Sequence, residues 1–565
     1  MASSDGPGPA RWEQIAARKR KALVSAIPPE WLVPAPLLPP ETRDNVMDWP
    51  ETSGWFTDDE LAVTSLGASQ LVAKLASGEL TSVAVTAAFC KRAAAAHQLT
   101  NCLSEICFDR AMATARARDD HLARTGKPVG PLHGLPVSLK DCFNLRGLDA
   151  ALGFTSLVGD AAPADSALAA LLEAAGAVFY VKTNVSTAMM IAESVNRLVG
   201  RTLNPRNRRT TSGGSSGGES ALIAFRGSPL GVGTDIGGSL RIPAACAGIF
   251  TLRPSAGRFP VRAVRSGMPG QEAVQSVNGP MAGTLDDLEL YCRSLLAQEP
   301  WKHDPRCLPM PWRRPELPRR LRVAVMWHDG MVRPTPPVSR ALQDVAAKLR
   351  EAGHEVVEWD SVDQKPGVIL LGRMFVADGG TAIRAEVERT GEPWLPELAA
   401  YRDANDIGVY GMWRLQTERT EFQNRYFDRW TEARIDAILC PTMPFNAAKN
   451  GCFKHVAYTG VFNVLDYSCL SFVTHLAVDR SIDKQESGYR PLSPVCQQVH
   501  ADYDAELMHG MPISLQLVAR RLEEEKVLAM GRRVLEALAL RPPAGETGAC
   551  QAVRAREHGG LDSRL

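Results

Sequence analysis

The sequence lacks the features that mark secreted and membrane-spanning chains. Its twelve cysteines are scattered from Cys90 to Cys550 without a CxxC pair, so neither a paired redox motif nor a disulfide framework is indicated. No uninterrupted apolar run approaches the roughly 20 residues needed to cross a bilayer. The first residues, MASSDGPGPARWEQ, contain no apolar signal region. We therefore predict an intracellular protein with reduced, mostly buried thiols and no membrane span.

An excess of charge of either sign is also missing. Lys and Arg together number 64 and Asp and Glu 63, which leaves a formal net charge of +1. Because no charge excess draws the whole molecule onto nucleic acid or anionic lipid, we expect no nucleic-acid partner. The 565 residues are 45% hydrophobic and 22% charged, a composition that can bury a large core.

Composition divides the chain into three parts. Residues 1–60 form an N-terminal arm with a basic helix near Arg11–Ser25 and the proline-rich stretch PPEWLVPAPLLPP. Residues 61–540 form the body, and residues 541–565 are too polar and glycine-rich to pack as core, which indicates a flexible C-terminal tail. Within the body, amphipathic segments such as SALAALLEAAG precede strand-like runs such as AVFYVKTNV. This alternation predicts an α/β layered fold.

The segment TTSGGSSGGES, residues 210–220, has the composition of a linker but lies between well-patterned apolar segments. Its glycines are therefore expected where the backbone approaches a neighbour closely or adopts φ values closed to other residues. A phosphate-binding loop is disfavoured because Glu219 stands where GxxxxGK[ST] requires Lys. The nearby GVGTDIGG also departs from GxGxxG, since Ile236 replaces the third glycine. A nucleotide site is thus weakly supported.

Acyl-transfer chemistry suits these residues better. In DIGGSLR, Gly237 and Gly238 leave their N–H groups unshielded beside Ser239, a candidate nucleophile. No GxSxG motif surrounds this serine, which disfavours an α/β-hydrolase. The histidines form no obvious motif with these loops, but a desolvated lysine can serve as the base. Lys140 ends the apolar run VSLK, where such burial is expected.

At these residues the chain closely resembles the amidase signature family. GGSSGGE followed by GVGTDIGGSLRIPAA is similar to the family's signature block, and HGLPVSLKDCF to its lysine-bearing block. Further stretches, including GPLHGLPVSLKD and QEPWKHDPRCLPMPWR, resemble the fungal acetamidase-type branch, and the likeness runs from about Trp12 to about Leu538. The resemblance implies an α/β/α sandwich around one large mixed β-sheet.

The resemblance also implies a Ser-Ser-Lys triad. Ser239 corresponds to the acylated nucleophile, Ser215 to the bridging serine and Lys140 to the ultimate base. The peptide bond from Gly214 to Ser215 is expected to be cis. No cofactor and no metal ion are implied.

The same resemblance indicates the substrate-binding and oxyanion-hole residues, which are Met189, Ser215, Ile236, Gly237, Gly238 and Ser239. Backbone N–H groups of Ile236 to Ser239 are expected to line the oxyanion hole, and the backbone of Met189 to orient the substrate. After KTNV many relatives have proline where this chain has Ser186. We therefore expect the loop that carries Met189 to be placed differently here.

Other polar residues near the triad are interpreted as structural. Ser216, Asp235, Arg241 and Glu219 are expected to brace the loops through hydrogen bonds or an ion pair. Cys142 follows Lys140 by two residues but has no histidine beside it, so we interpret it as a packed thiol.

Three functions compete at this point. The leading hypothesis is a free-standing amidase that converts a small-molecule carboxylic acid amide to the acid and ammonia or an amine, with acetamide as the default substrate. Larger aryl, fatty or biosynthetic amides stay open as substrates. The alternatives are the amidase subunit of a tRNA-dependent amidotransferase and a catalytically inactive interaction scaffold. The sequence also leaves open whether the chain forms a homo-oligomer.

The last three residues raise a question of location. Ser563, Arg564 and Leu565 resemble the SKL-type peroxisomal address, with Arg in place of Lys. A peroxisomal import receptor is one expected partner of this tail, and a chance ending on a cytoplasmic enzyme is the alternative.

Overall fold

The computed structural model describes residues 10–485 and 488–539. The tail from 541 to 565, with its terminal tripeptide, lies outside the described residues. The strands are β1 Leu103–Ile106, β2 Pro136–Lys140, β3 Val178–Thr183, β4 Leu203–Asn204, β5 Asn207–Thr211, β6 Leu230–Asp235, β7 Phe250–Arg253, β8 Val277–Ala282, β9 Arg322–Val325, β10 Glu355–Glu358, β11 Ala437–Pro441, β12 Ser468–Ala477 and β13 Pro512–Ala519.

α-Helices occupy parts of the predicted arm and follow many of the strands in the body. They are α1 Arg11–Ser25, α2 Trp49–Thr52, α3 Asp58–Ser65, α4 Ala68–Ser77, α5 Ser82–Thr100, α6 Phe108–Thr125, α7 Ala167–Ala174, α8 Gly217–Ala224, α9 Arg241–Ala247, α10 Leu285–Leu296, α11 Pro336–Glu351, α12 Gln364–Phe375, α13 Thr381–Thr390, α14 Ala399–Arg402, α15 Gly408–Ala433, α16 Ala457–Leu465, α17 Pro494–Asp502, α18 Ala505–Met508 and α19 Glu524–Ala539. Among the described helices, none is both long enough and apolar enough to span a bilayer.

Eleven strands form one mixed sheet in the order β1-β3-β2-β6-β8-β7-β12-β13-β11-β9-β10, and β4 pairs with β5 in a separate hairpin. The β3-β2-β6 and β11-β9-β10 groups are parallel, whereas the strands between them pair antiparallel. The predicted α/β fold with one large mixed sheet is confirmed.

Alternate residues of the central strands pack into different apolar clusters. On β9, Val323 and Val325 belong to one cluster, whereas Ala324 belongs to a second cluster that also contains side chains of α12, α15 and α16. Side chains of α10, α11 and α19 pack in the first cluster. Because successive strand residues point to opposite faces, both faces of the sheet are covered by helices. This is the predicted sandwich arrangement.

Helix α1 is attached to the body by a buried cation. Lys19 is 8% exposed and forms ion pairs with Glu105 at β1 and with Asp149. Ala16 and Leu23, on the same helix, are buried in the main apolar cluster. The helix that the sequence predicted at Arg11–Ser25 therefore packs against the edge of the sheet where β1 lies.

Candidate active site

The predicted triad residues meet at the carboxyl ends of two parallel strands. Lys140 is the last residue of β2, and β6, its parallel neighbour, ends at Asp235. Ser239 lies in the turn between β6 and α9, and Ser215 lies just before α8. Since parallel strands end at the same edge of a sheet, residues far apart in sequence are brought together there.

The glycine-serine segment is a buried structural element. All of residues 211–220 are buried, and the Gly214–Ser215 peptide bond is cis, as the resemblance implies. Gly213 has φ +77°, and a Cβ there would lie 2.5 Å from Pro243 Cα. A Cβ on Gly218 would lie 2.5 Å from the backbone N and O of Asn184. The expectation of close backbone approach and special φ values is confirmed.

Lys140 is completely buried and contacts two hydroxyl groups. Its Nζ lies 2.8 Å from Ser215 Oγ and 2.7 Å from Thr234 Oγ1. Burial lowers the pKa of Lys140 to about 8, against smaller opposing effects of Cys142 and Asp235. A larger fraction of this amine is therefore neutral near physiological pH than for a free lysine.

Ser239 lies in a loop that the Asp235 carboxylate organises. Asp235 Oδ1 accepts a hydrogen bond from Gly238 N at 2.8 Å, and its Oδ2 accepts one from Leu240 N at 3.1 Å. Ile236, Gly237 and Ser239 are only partly buried, whereas Gly238 is buried. The Gly238 N–H, which the resemblance assigns to the oxyanion hole, donates to Asp235 in this structure.

Arg241 connects this loop to the second half of the chain. Its guanidinium forms a buried ion pair with Asp235 and donates to Thr459 O at 3.0 Å and to Asn463 Oδ1 at 2.6 Å. Burial alone would raise the pKa of Asp235, but the charges of Arg241 and Arg253, together with hydrogen bonds from Arg241 and Asn463, outweigh burial and hold that pKa below its usual range. The interpretation of Asp235 and Arg241 as a bracing ion pair is confirmed.

The other residues interpreted as structural also have bracing contacts. Glu219 is buried and accepts hydrogen bonds from Ser138 Oγ at 2.6 Å and Thr183 Oγ1 at 2.9 Å, and burial raises its pKa to about 8. Ser216 Oγ donates to Thr234 O at 3.3 Å. Cys142 is a buried free thiol whose pKa burial raises to about 11, so it is poorly suited to act as a nucleophile.

Comparison with known proteins identifies the family. A family model described as Amidase matches residues 84–528. The chain belongs to the amidase signature family. The acetamidase of Emericella nidulans is 41% identical over 542 residues, which cover 93% of this chain and 98% of the relative. The acetamidase of Aspergillus oryzae is 40% identical over 541 residues, with the same shares.

Similarity to solved structures agrees with this assignment. Fatty acid amide hydrolase superposes with a TM-score of 0.90 at 35% identity, over 94% of this chain and 95% of that structure. The chain is accordingly an amide hydrolase that acts on C–N bonds other than peptide bonds. Within this family, a Ser-Ser-Lys triad is characteristic.

Met189 lies between β3 and β4 and lines a cavity. It ends the single helical turn Thr187–Met189, has φ +60° and is partly buried. Ser186 Oγ donates to Ile191 O at 3.1 Å and accepts from Ile191 N at 3.3 Å, so the serine holds both ends of this loop together. Met189 and Thr234 both line a cavity of about 160 Å³.

Sequence reasoning missed several residues that position the amidase site. Thr234 contacts Lys140, but a threonine inside a strand pattern carries no signal of that role. Ser194 donates from its Oγ to Ser215 O at 3.2 Å and accepts from Gly217 N at 2.8 Å. The ring of Phe375, in α12, packs beside Gly237: a Cβ atom added to that glycine would lie 3.4 Å from Phe375 Cε2. These contacts join segments distant in sequence, which no local pattern reveals.

Proposed function

We propose that the enzyme hydrolyses a small aliphatic carboxylic acid amide through an acyl-enzyme on Ser239. The observation that carries the proposal is the 2.8 Å contact between Lys140 Nζ and Ser215 Oγ at a fully buried position. Neutral Lys140 takes the proton of Ser215, and Ser215 takes that of Ser239 as its Oγ attacks the carbonyl carbon. Among the described residues, no hydrogen bond joins Ser215 to Ser239, so the proton transfer between these two serines is part of the proposal.

The proton then returns along the same relay to the nitrogen that leaves. The C–N bond breaks, ammonia or an amine departs, and water attacks the ester on Ser239 to release the carboxylic acid and restore the serine. We assign the developing negative charge on the carbonyl oxygen to the N–H groups of Ile236, Gly237 and Ser239. We leave Gly238 out of this set because its N–H donates to Asp235 Oδ1. Removing one oxyanion donor typically costs about 3 kcal/mol of transition-state stabilisation.

The names of the relatives support acetamide as the first substrate to test, since two of them are acetamidases. The similarity to fatty acid amide hydrolase favours longer acyl chains as a second candidate. We therefore propose to measure kcat/KM for primary amides of increasing acyl length. A maximum at acetamide supports the first candidate, and a maximum at long chains supports the second.

Labelling with a fluorophosphonate tests the nucleophile. We expect the probe to label Ser239 in the parent chain, and Ser239→Ala to lose both labelling and turnover because no acyl-enzyme forms. The variant Cys142→Ala is a matched control near Lys140 and should still be labelled at Ser239. A labelled residue other than Ser239 would contradict the assignment.

A further inference from the structure

Two adjacent glycines give the proposed oxyanion loop a peptide group that is free to rotate unless other residues hold it. The peptide that joins Gly237 to Gly238 lies between two of the proposed donors, the N–H groups of Gly237 and Ser239. Its orientation sets ψ of Gly237 and φ of Gly238, and neither residue has a side chain that restricts these angles. Because an oxyanion hole depends on donors that are oriented in advance, the orientation of this peptide bears on catalysis.

Both ends of this peptide form hydrogen bonds with side chains. At one end, Gly238 N donates to Asp235 Oδ1 at 2.8 Å. At the other end, Gly237 O accepts a hydrogen bond from Thr459 Oγ1 at 2.7 Å, and Thr459 lies 222 residues further along the chain, in α16. A peptide that is bonded through both its carbonyl and its N–H cannot rotate without breaking one of these bonds.

The Thr459 hydroxyl has a second acceptor within reach, which is Val456 O at 3.1 Å. That carbonyl already accepts hydrogen bonds from Thr459 N at 3.2 Å and from Gly460 N at 2.8 Å, where the helix begins. A hydroxyl has one hydrogen to donate, and Gly237 O is the nearer of its two acceptors. The geometry therefore favours the bond to Gly237.

The helix that carries Thr459 is itself bonded to the same turn. Arg241 donates to Thr459 O and to Asn463 Oδ1, and Asn463 Nδ2 donates to Asp235 Oδ1 at 2.8 Å. Thr459 is completely buried, and a Cβ on Gly238 would lie 2.3 Å from its Oγ1. These contacts hold the threonine in one position against the peptide that follows Gly237.

We propose that Thr459 is a positioning residue of this amidase, whose hydroxyl fixes the Gly237–Gly238 peptide and thereby directs the N–H groups of Gly237 and Ser239 at the carbonyl oxygen of the substrate. The inference rests on the proposed acyl-enzyme at Ser239. The role requires no contact between Thr459 and the substrate. Because these donors act most strongly once negative charge develops on that oxygen, loss of the hydroxyl lowers kcat and leaves KM nearly unchanged.

Removal of the hydroxyl tests this role. Thr459→Val keeps the shape of the side chain, and with the amide that the acyl series identifies we expect kcat to fall about tenfold to a hundredfold while KM stays within about twofold. The pH at which kcat/KM rises should stay at the parental value, because Lys140 is unchanged. Thr459→Ser retains the hydroxyl and should recover most of the parental kcat. The matched control is Thr100→Val, which removes a buried hydroxyl in α5 that donates to Ala96 O at 2.6 Å, and it should keep the parental kcat.

An aldehyde with the same acyl group distinguishes oriented donors from a general structural role. Ser239 Oγ adds to its carbonyl carbon, the Ser239 proton passes to the relay, and the former carbonyl oxygen carries the negative charge. We expect the inhibition constant of the aldehyde to rise in Thr459→Val by about the factor by which kcat/KM falls, because both depend on the same N–H donors. If Thr459→Val does not fold, Thr459→Ala takes its place, since it also lacks the hydroxyl and adds no bulk.

Three results would each overturn the role of Thr459. They are a parental kcat in Thr459→Val, a loss of kcat in Thr459→Ser as large as that in Thr459→Val, and an unchanged aldehyde affinity in a Thr459→Val enzyme with lowered kcat. If the fluorophosphonate does not label Ser239 in the parent, the proposed function itself fails. A parent that is labelled at Ser239 and turns over amides, together with any of the three results, refutes the role of Thr459 alone.

Discussion

At the scale of single residues, burial of Lys140 determines the expected pH dependence. The base must be neutral to accept a proton, and burial lowers its pKa to about 8. We therefore expect kcat/KM to be low below that pKa, to rise as pH increases through about 8, and to level off above it. Initial rates measured from about pH 6 to about pH 10 test this, since a free lysine would titrate near 10.4.

The control for this profile is the variant Lys140→Ala, which lacks the titrating amine. It should lose most of its activity, and what remains should not follow the same pH curve. Near-parental rates of Lys140→Ala at neutral pH would show that the base lies elsewhere. A parent profile that falls as pH rises through 8 would equally contradict a neutral lysine base.

The second residue-scale prediction concerns Arg241. Arg241→Met leaves the buried Asp235 charge without its partner, and breaking one side of a buried pair costs about 3–5 kcal/mol. We expect a large loss of stability, measured as a lower midpoint of unfolding in urea. The control Arg402→Met breaks an exposed pair with Asp403 and should leave the midpoint unchanged. An unchanged midpoint in Arg241→Met would mean that Asp235 is neutral or finds another partner.

At the scale of elements, α8 needs a glycine where it passes β3. Gly218 lies in this helix, and a Cβ there would lie 2.5 Å from Asn184 N and O and 2.6 Å from Cys102 O. Because these are backbone atoms, they cannot rotate aside. The helix would have to move, and Ser215 lies just before it.

We therefore expect Gly218→Ala to lower stability and turnover together. The matched control is Gly372→Ala in α12, where a Cβ would meet no atom within 4 Å. Because alanine favours helix over glycine, that variant should be as stable as the parent or more so. Thermal unfolding and kcat of both variants are the measurements. A Gly218→Ala enzyme with parental kcat would show that α8 is less tightly constrained than its contacts indicate.

At the scale of the whole molecule, we expect the single chain to be sufficient for activity. The acetamidase relatives align along 93% of this chain and 98% of their own lengths. We therefore expect the purified chain to release ammonia from amides without added partner chains. The proposed relay consists of hydroxyl and amine groups, and the sequence has no His/Cys/Asp cluster with metal-ligand spacing, so EDTA should leave the rate unchanged.

Ammonia release in a coupled assay, with and without EDTA, measures this prediction. A rate that is restored only by adding zinc after EDTA would refute it. Activity that appears only with partner chains would instead favour the amidotransferase alternative.

The sequence by itself determined the local elements and the chemistry of the site. The helix at Ala167–Ala174 and the strand at Val178–Thr183 lie where SALAALLEAAG and AVFYVKTNV predict them, because hydrophobic periodicity is a property of neighbouring residues. Lys140 and Ser239 were recognisable for a similar reason, since each lies in a short motif whose residue types suit the chemistry. Ser215 was assigned through the resemblance to the amidase signature family.

Only the tertiary structure decided how these elements and residues meet. The sheet order places β8 between β6 and β7, and this pairing puts Asn278 opposite Thr234. The tertiary structure also decided that the Gly238 N–H donates to the Asp235 carboxylate. Such contacts depend on strand pairing and side-chain packing between distant segments. Local sequence patterns carry no information about them, because hydrophobic burial is non-directional and does not specify which partner is chosen.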